Sequence, residues 1–389
     1  MKNIFQTLEI LEKNIKSINE FEIISLENAK DRFLFEDIKS KKNLPSFDNA
    51  ALDGYAFRFE DRFNALSVKG TILAGDKEDK KIEQNECYKI MTGSKIPNNA
   101  DTIIMLEDAF LENDKLIIKK DIKQYNAYRF KAEELKEGEI IFKKGEKLDS
   151  AKITLLASQG IYKIKVFRKI KIGIFSSGNE LKEPWQECDK DAIYNANALS
   201  IFSLLLCPSC EISYLGIIKD NFLDTKEALE FNNFDLLLTS GGASVGEADF
   251  MEEALKKLNF IPIFQGIKAR PAKPSKLYCK DKNYILILPG NPMAAYLSCF
   301  ILALKIIHLF CCNTQSYLSI EAKMGKDLKL KSGRNNLILG NLEQDFFYPI
   351  EQNFGSGMIM PLIKNNFLFI SNEEQEYIKQ NEKIKIILL

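Results

Sequence analysis

Apolar residues Ile4, Leu8, Leu11, Ile15 and Ile18 recur at three- and four-residue steps, which predicts an amphipathic helix at the start of the chain. Ser25 stands where an N-cap would start a second helix running through Phe33. Pro45 breaks the pattern, and SFDNAALDGYAFR follows with turn residues Asp48, Asn49, Asp53 and Gly54. From Leu66 to Lys120 the pattern is that of strands. LSVKGTILAG, YKIMTG, DTIIML and KLIIKK are short β-branched runs between Gly, Asn and Asp turns, which predicts a small all-β domain. GEIIFKKGEKL adds a further strand-like piece and leads into a helix from Ala151 to Ser158, with Ser150 as the expected N-cap and Gly160 as the stop.

From about Lys169 the period changes again. KIGIF, ISYLGII, FDLLLTS and YILIL read as buried strands. Helices are expected at Asn197–Leu206, Phe222–Phe231, Phe250–Leu258 and from PGNP to about Phe310. Strands alternating with helices predict a parallel sheet covered on both faces. In such sheets ligands bind at the carboxyl ends of the strands. SSGNEL, IIKD, SGGASVGEAD and LPGNP all fall there. The last 75 residues or so return to short strands (LILGN, YPIEQ, NNFLFIS, KIKIILL), which fits a small β-barrel or sandwich.

Charge narrows the function classes. Lys+Arg and Asp+Glu both number 54 and cancel, which argues against nucleic acid as the main partner. A single histidine, His308, excludes HExxH zinc sites. Eight cysteines are far too few for a disulfide scaffold. Cys207-Pro-Ser-Cys210 is the one CxxC and reads first as a helix-to-strand turn, with a redox or metal role as the lesser alternative. The longest apolar stretch, Met293 to Leu304, ends at Lys305, short of the ~18 residues a bilayer span requires. Glu9 and Glu12 interrupt the N-terminal apolar pattern, unlike a secretory signal. The expectation is a soluble, cytoplasmic protein with no membrane partner.

The strongest chemical motif is Ser240-Gly241-Gly242-Ala243-Ser244-Val245-Gly246-Glu247-Ala248-Asp249. Paired glycines after a buried strand let the backbone approach a ligand, and a following helix N-terminus favours an anion. Asp249 alone also suits a helix cap, which leaves the glycines unexplained. Glu180, Asp220 and Asp249 end three strands of one sheet, so they are expected to meet and to hold a hard cation such as Mg²⁺ against phosphate oxygens. In LPGNP, Pro292 suits a first helical turn. Arg270-Pro271-Ala272-Lys273-Pro274 sets two cations in a stiff loop. With Arg129, Lys131 and Arg334 they are candidates to hold a dianion or phosphate.

In this order, SFDNAALDGYAFR, YKIMTGSKIPNNADTIIMLED, FSSGNEL, SGGASVGEAD, RPAKP, LPGNP and GRNNLILG resemble the molybdopterin molybdenumtransferase (MoeA) family, and so the E domain of gephyrin. The resemblance runs over nearly the whole chain. It implies a multidomain α/β plus β fold, an elongated four-subdomain chain with a central parallel α/β molybdopterin-binding subdomain and a C-terminal small β-barrel. The boundaries it suggests are 1–44 with 137–168 (helical/β linker), 45–136 (small β-rich), 169–315 (α/β) and 316–389 (β-barrel). It further implies a homodimeric enzyme that inserts molybdenum from molybdate into adenylyl-molybdopterin and releases AMP, using Mg²⁺. Transient contact with a molybdopterin adenylyltransferase is part of the same expectation. The alternatives are adenylyltransferase-like activity on the same core and a non-enzymatic gephyrin-like scaffold.

By this resemblance Asp53, Thr92, Glu180, Asp220 and Asp249 are catalytic, the last three also holding the metal. Ser177, Gly178, Ser240, Gly241, Gly242, Ser244 and Gly246 line the ligand through the strand-end loops. Pro289 and Pro292 match the prolines of PGNP. Arg270 and Lys273 match a cationic loop, Arg129 a basic position of the second subdomain, and Arg334 and Ser356 polar positions of the fourth. The chain departs from the family pattern at Asn179 and Glu134, where Asp is usual, at Ala272, where glycine is usual, and at Ala50, where serine is usual.

Overall fold

Along Ile170–Ser177, Leu236–Ser240 and Asn283–Leu288 the side chains alternate between two cores. Ile172, Ile174, Leu236, Leu238 and Leu286 face one; Phe175, Leu237, Ile285 and Ile287 face the other. Burial on both faces explains why these segments are unbroken apolar runs. The computed structural model describes residues 1–230, 233–242, 250–315, 317–350 and 355–389. The chain divides into two compact units. One comprises Met1–Glu36, Lys144–Ile153 and Lys163–Leu389; the other comprises Asp37–Lys143 and Thr154–Tyr162.

In the larger unit the central sheet has six strands, in the order Cys210–Ile218, Ile170–Ser177, Leu236–Ser240, Asn283–Leu288, Lys276–Lys280, Ile261–Gln265. The first four run parallel, as expected. The last two join through antiparallel pairings, so Lys276–Lys280 runs against the other five strands of the sheet. These two strands flank the Pro- and Lys-rich stretch that sequence reading leaves irregular. Helices Ala196–Leu205 and Pro292–Phe310 cover one face, and Phe222–Glu230 and Phe250–Lys257 the other. Pro292–Phe310, at 19 residues, is long and apolar enough to cross a membrane, yet it is a core helix. Its Lys305 is 3% exposed and places Nζ 2.6 Å from Glu12 Oε1 and 2.7 Å from Thr314 O. A buried ammonium with such partners belongs to a protein interior.

The C-terminal segment closes on itself. Strand Asn335–Glu343 pairs with Phe346–Pro349, which pairs with Ser319–Met324, then Lys383–Leu388, then Phe367–Ile370, which returns to Asn335–Glu343. Closure removes the exposed sheet edges. Met324, Ile338, Phe347, Phe369 and Ile386 fill the barrel interior. The short strand Ala269–Arg270 lies parallel to the start of Asn335–Glu343. In the smaller unit a six-stranded sheet, Thr102–Met105, Gly54–Phe57, Glu86–Ile90, Leu66–Ile72, Lys115–Ile117 and Phe110–Glu112, bears out the β signal.

Two local expectations are corrected. The segment after Ser25 makes only a 3-10 turn, Leu26–Asn28, and the Ser25 side chain caps nothing. Phe21–Ser25 is instead a strand paired antiparallel with Lys163–Phe167, a non-local partner that no local pattern announces. At helix Ser150–Ser158 the cap lies one residue early: Asp149 Oδ1 accepts from Lys152 N–H at 2.8 Å. The stop at Gly160 holds, with φ +68°. Asp149→Ala should therefore lower stability by about 1 kcal/mol. This would be read as a lower urea midpoint, and an unchanged midpoint would show that the cap contributes nothing.

Candidate functional site

The carboxyl edge of the parallel strands opens into a cleft of about 910 Å³. Pairing in the sheet sets Ser176 beside Ser240 and Ser240 beside Leu288, so three strands end in step and their loops meet. Ser177, Gly178 and Glu180 come from the first loop and Asp220 from the loop after Cys210–Ile218. Ser177 Oγ donates to Asp220 Oδ1 at 2.5 Å, and Asn179 Oδ1 accepts from Asp220 N–H at 3.2 Å. Ser240, Gly241 and Gly242 follow from the third strand, and Pro289 and Pro292 from the fourth. Gly241 has φ +97°, and a Cβ there would lie 2.2 Å from Ser177 O. Only glycine fits that approach.

Several groups that hold this edge were not singled out in sequence. Asn197, in the first turn of Ala196–Leu205, donates to Ser240 Oγ at 2.6 Å and to Gly290 O at 2.7 Å, tying two loops together. Asn195 caps the same helix and accepts from Ser176 Oγ at 2.9 Å. Its amide donates to Tyr214 Oη at 2.9 Å, which donates in turn to Glu183 Oε1 at 2.5 Å. Burial, with Glu183 accepting its proton, raises the Tyr214 pKa. Asn291 precedes helix Pro292–Phe310 but does not cap it; its Nδ2 donates to Ser356 Oγ at 2.7 Å, and Gly357 lines the cleft. The available signal was two asparagines opening an apolar helix at the sheet's carboxyl edge.

The basic wall is partly as expected. Lys273 lines the cleft, as does Lys276, whose ammonium is 2.5 Å from Glu252 Oε1. Arg270 is held in the strand beside Asn336, and its Nη1 is buried with no hydrogen-bond partner among the described residues. Arg334 directly precedes the barrel strand that pairs with Ala269–Arg270, but neither arginine lines the cleft. Ala272 adopts φ +97°, a conformation an L side chain disfavours.

Of the three expected metal carboxylates, Glu180 and Asp220 line one cleft. Asp249, Ser244 and Gly246 lie outside the described residues. Among the described residues no group of three His, Cys, Asp or Glu stands together to hold a metal.

In the smaller unit Asp53 and Thr92 form a pair. Asp53 Oδ1 accepts from Thr92 N–H at 2.7 Å and from Thr92 Oγ1 at 2.6 Å. The Thr92 hydroxyl, then its backbone N–H, hold the Asp53 carboxyl below its ordinary pKa. Arg129 is engaged within its own unit, by Glu133 at 2.8 Å and by Glu134. Glu134 thus already has a cationic partner.

Comparison with known proteins gives a consistent picture. Residues 3–160 match a family described as the MoeA N-terminal region (domain I and II), and residues 173–308 match a probable molybdopterin binding domain. A molybdopterin molybdenumtransferase of Haemophilus influenzae is 31% identical over 94% of this chain and 93% of its own length. One from Staphylococcus epidermidis is 31% identical over 72% of this chain and 68% of its own. The crystal structure of the molybdopterin biosynthesis MoeA protein from Pyrococcus horikoshii superposes with a TM-score of 0.87 at 26% identity, covering 100% of both chains.

The Asp53–Thr92 pair makes a prediction with a definite sign. A carboxyl pKa depressed by folding gives stability above the ordinary pKa, lost as pH falls through the depressed value. Thr92→Val removes the hydroxyl donor and keeps the backbone one, so the Asp53 midpoint should rise toward its ordinary value. Carbon-detected NMR titration of the carboxyl reads this directly; the same midpoint in both proteins would remove the hydroxyl as the cause.

Proposed function

Since the chain belongs to the molybdopterin molybdenumtransferase family, we propose that it transfers molybdenum from molybdate into adenylyl-molybdopterin, releasing AMP, as a step of molybdenum cofactor biosynthesis. The observation that carries this reading is the cleft itself. Glycine backbone, two carboxylates and Lys273 converge at the carboxyl edge of the sheet, inside the segment matching a molybdopterin binding domain.

In this reading the Gly241–Gly242 backbone admits the pyrophosphate, because no Cβ stands between it and the strand ends. Asn197 keeps the Ser240 and Gly290 loops in register for that contact. Lys273, with Arg270 and Arg334 nearby in sequence and strand pairing, attracts the molybdate dianion, and Ser356 supplies a hydrogen-bond donor. Glu180 and Asp220 are hard oxygen donors on one wall and fit Mg²⁺, which usually takes one or two carboxylates plus substrate phosphates. Bound there with Asp249, the ion would neutralise charge on the phosphoryl oxygens as the bond to AMP breaks. The reading also takes in Asp53, Thr92 and Arg129 as functional residues and the chain as a homodimer. It includes four subdomains at the boundaries given above, a cytoplasmic location and transient delivery of substrate by an adenylyltransferase.

The test is AMP release from adenylyl-molybdopterin with and without molybdate. Release should depend on molybdate and on Mg²⁺. Asp220→Asn keeps an acceptor for Ser177 at an exposed loop, so it should fold with a stability change under about 0.5 kcal/mol. Its turnover should nevertheless fall about tenfold or more. Release indifferent to molybdate would sink the proposed activity, and wild-type turnover in Asp220→Asn would remove that carboxylate from it.

A further inference from the structure

Cys207-Pro-Ser-Cys210 takes no part in the cleft. Helix Ala196–Leu205 ends just before it, and strand Cys210–Ile218 begins on its last residue. The motif is therefore the turn that joins them, as its sequence suggests. Cys210 N–H donates to Cys207 O at 3.0 Å, and Ser209 Oγ anchors the turn to Asp31 O at 2.9 Å. The two sulfurs consequently stand 3.5 Å apart, both as free thiols. Side-chain rotation can bring sulfurs that close to bonding distance, about 2 Å.

The pair is unequal. Cys207 is partly exposed and lies next to exposed Pro208, whereas Cys210 is 8% exposed. The two thiols are hydrogen-bonded to each other, and Cys207 Sγ also accepts from Ser209 N–H and faces the charge of Lys147. These contacts lower the Cys207 thiol from its ordinary range, while the hydrogen bond with Cys207 and burial push Cys210 up. An accessible sulfur that ionises readily beside a buried second thiol is the arrangement of an attacking and a resolving cysteine.

We propose that Cys207 and Cys210 form a reversible dithiol–disulfide site that reacts with low-molecular-weight disulfides of the glutathione type. The Cys207 thiolate attacks one sulfur of the disulfide; its S–S bond breaks, and one thiolate leaves and takes a proton from solvent. Cys210 then loses its proton to solvent and attacks Cys207 Sγ, expelling the second thiolate, which is protonated in turn. Two protein thiols are oxidised by two electrons, and one small disulfide is reduced to two thiols. The site lies beyond the end of Ala196–Leu205 opposite to Asn197, and its chemistry does not depend on the reaction proposed for the cleft.

The experiment uses the reduced full chain, incubated with glutathione disulfide at graded glutathione ratios and read by intact mass and peptide mapping. The wild-type protein should lose the mass of two hydrogens, with residues 207 and 210 bridged in one peptide, and a dithiol reductant should restore it. Cys210→Ser should trap one glutathione on Cys207, and Cys207→Ser should leave Cys210 unmodified. Exposed Cys312 is the internal control, and Cys207 should react about tenfold faster or more at neutral pH. Wild-type peptides with both motif thiols free while Cys312 carries glutathione would overturn the proposal. So would a glutathione adduct on Cys210 in Cys207→Ser. The wild-type mapping decides the matter even if a variant fails to fold.

Discussion

The candidate site depends on one close approach, that of the Gly241 backbone to the Ser177 carbonyl. A side chain at 241 would place its Cβ 2.2 Å from that oxygen. The approach is possible because Ile170–Ser177, Leu236–Ser240 and Asn283–Leu288 are parallel and in step, with Ser176 beside Ser240 and Ser240 beside Leu288. Parallel strands need crossover helices, and these place every strand-end loop at one edge. Ser177, Asp220, Gly241 and Pro289 are far apart in sequence and share a cleft for that reason.

The polar groups around this edge divide into those that hold it and those open to a ligand. The chain Ser176–Asn195–Tyr214–Glu183 runs through buried or half-buried side chains, each with a partner, and fixes the start of Ala196–Leu205 against two strands. A satisfied network of this kind rigidifies, whereas an unpaired member would be costly. Glu180 and Asp220 lie at the exposed rim instead. Asn197 belongs to both groups: it lines the cleft, yet both its donated hydrogen bonds go to the protein.

What was legible in the sequence is what local pattern encodes. Apolar runs bounded by Gly and Asn placed the four parallel strands, and strand-end position brought Glu180 and Asp220 to one cleft before any coordinates. The remainder depends on distant partners. Phe21–Ser25 is a strand only because Lys163–Phe167 lies alongside it. Ile261–Gln265 and Lys276–Lys280 pair across the Pro-rich loop that disguised them. Asn197 looked like an ordinary helix-start residue, since its acceptors lie 43 and 93 positions away. Arg129 looked available for a ligand, and two glutamates close to it in sequence engage it.

Asn179 and Ala272 acquire physical meaning on the same terms. Asn179 supplies through its amide oxygen the acceptor that holds Asp220 N–H at 3.2 Å. An aspartate would accept that bond equally well, but it would add a negative charge beside Glu180 and Asp220. Like charges gathered at one rim repel. The amide therefore preserves the anchor between two loops without adding to that repulsion. Ala272 acts in the opposite sense. At φ +97° its methyl group occupies a conformation that glycine would adopt freely, so the Arg270–Lys273 turn bears strain. That methyl is 2% exposed and packs into the main core, so apolar burial offsets part of the strain. The cationic loop is thereby anchored from its apolar side, with Lys273 left facing the cleft.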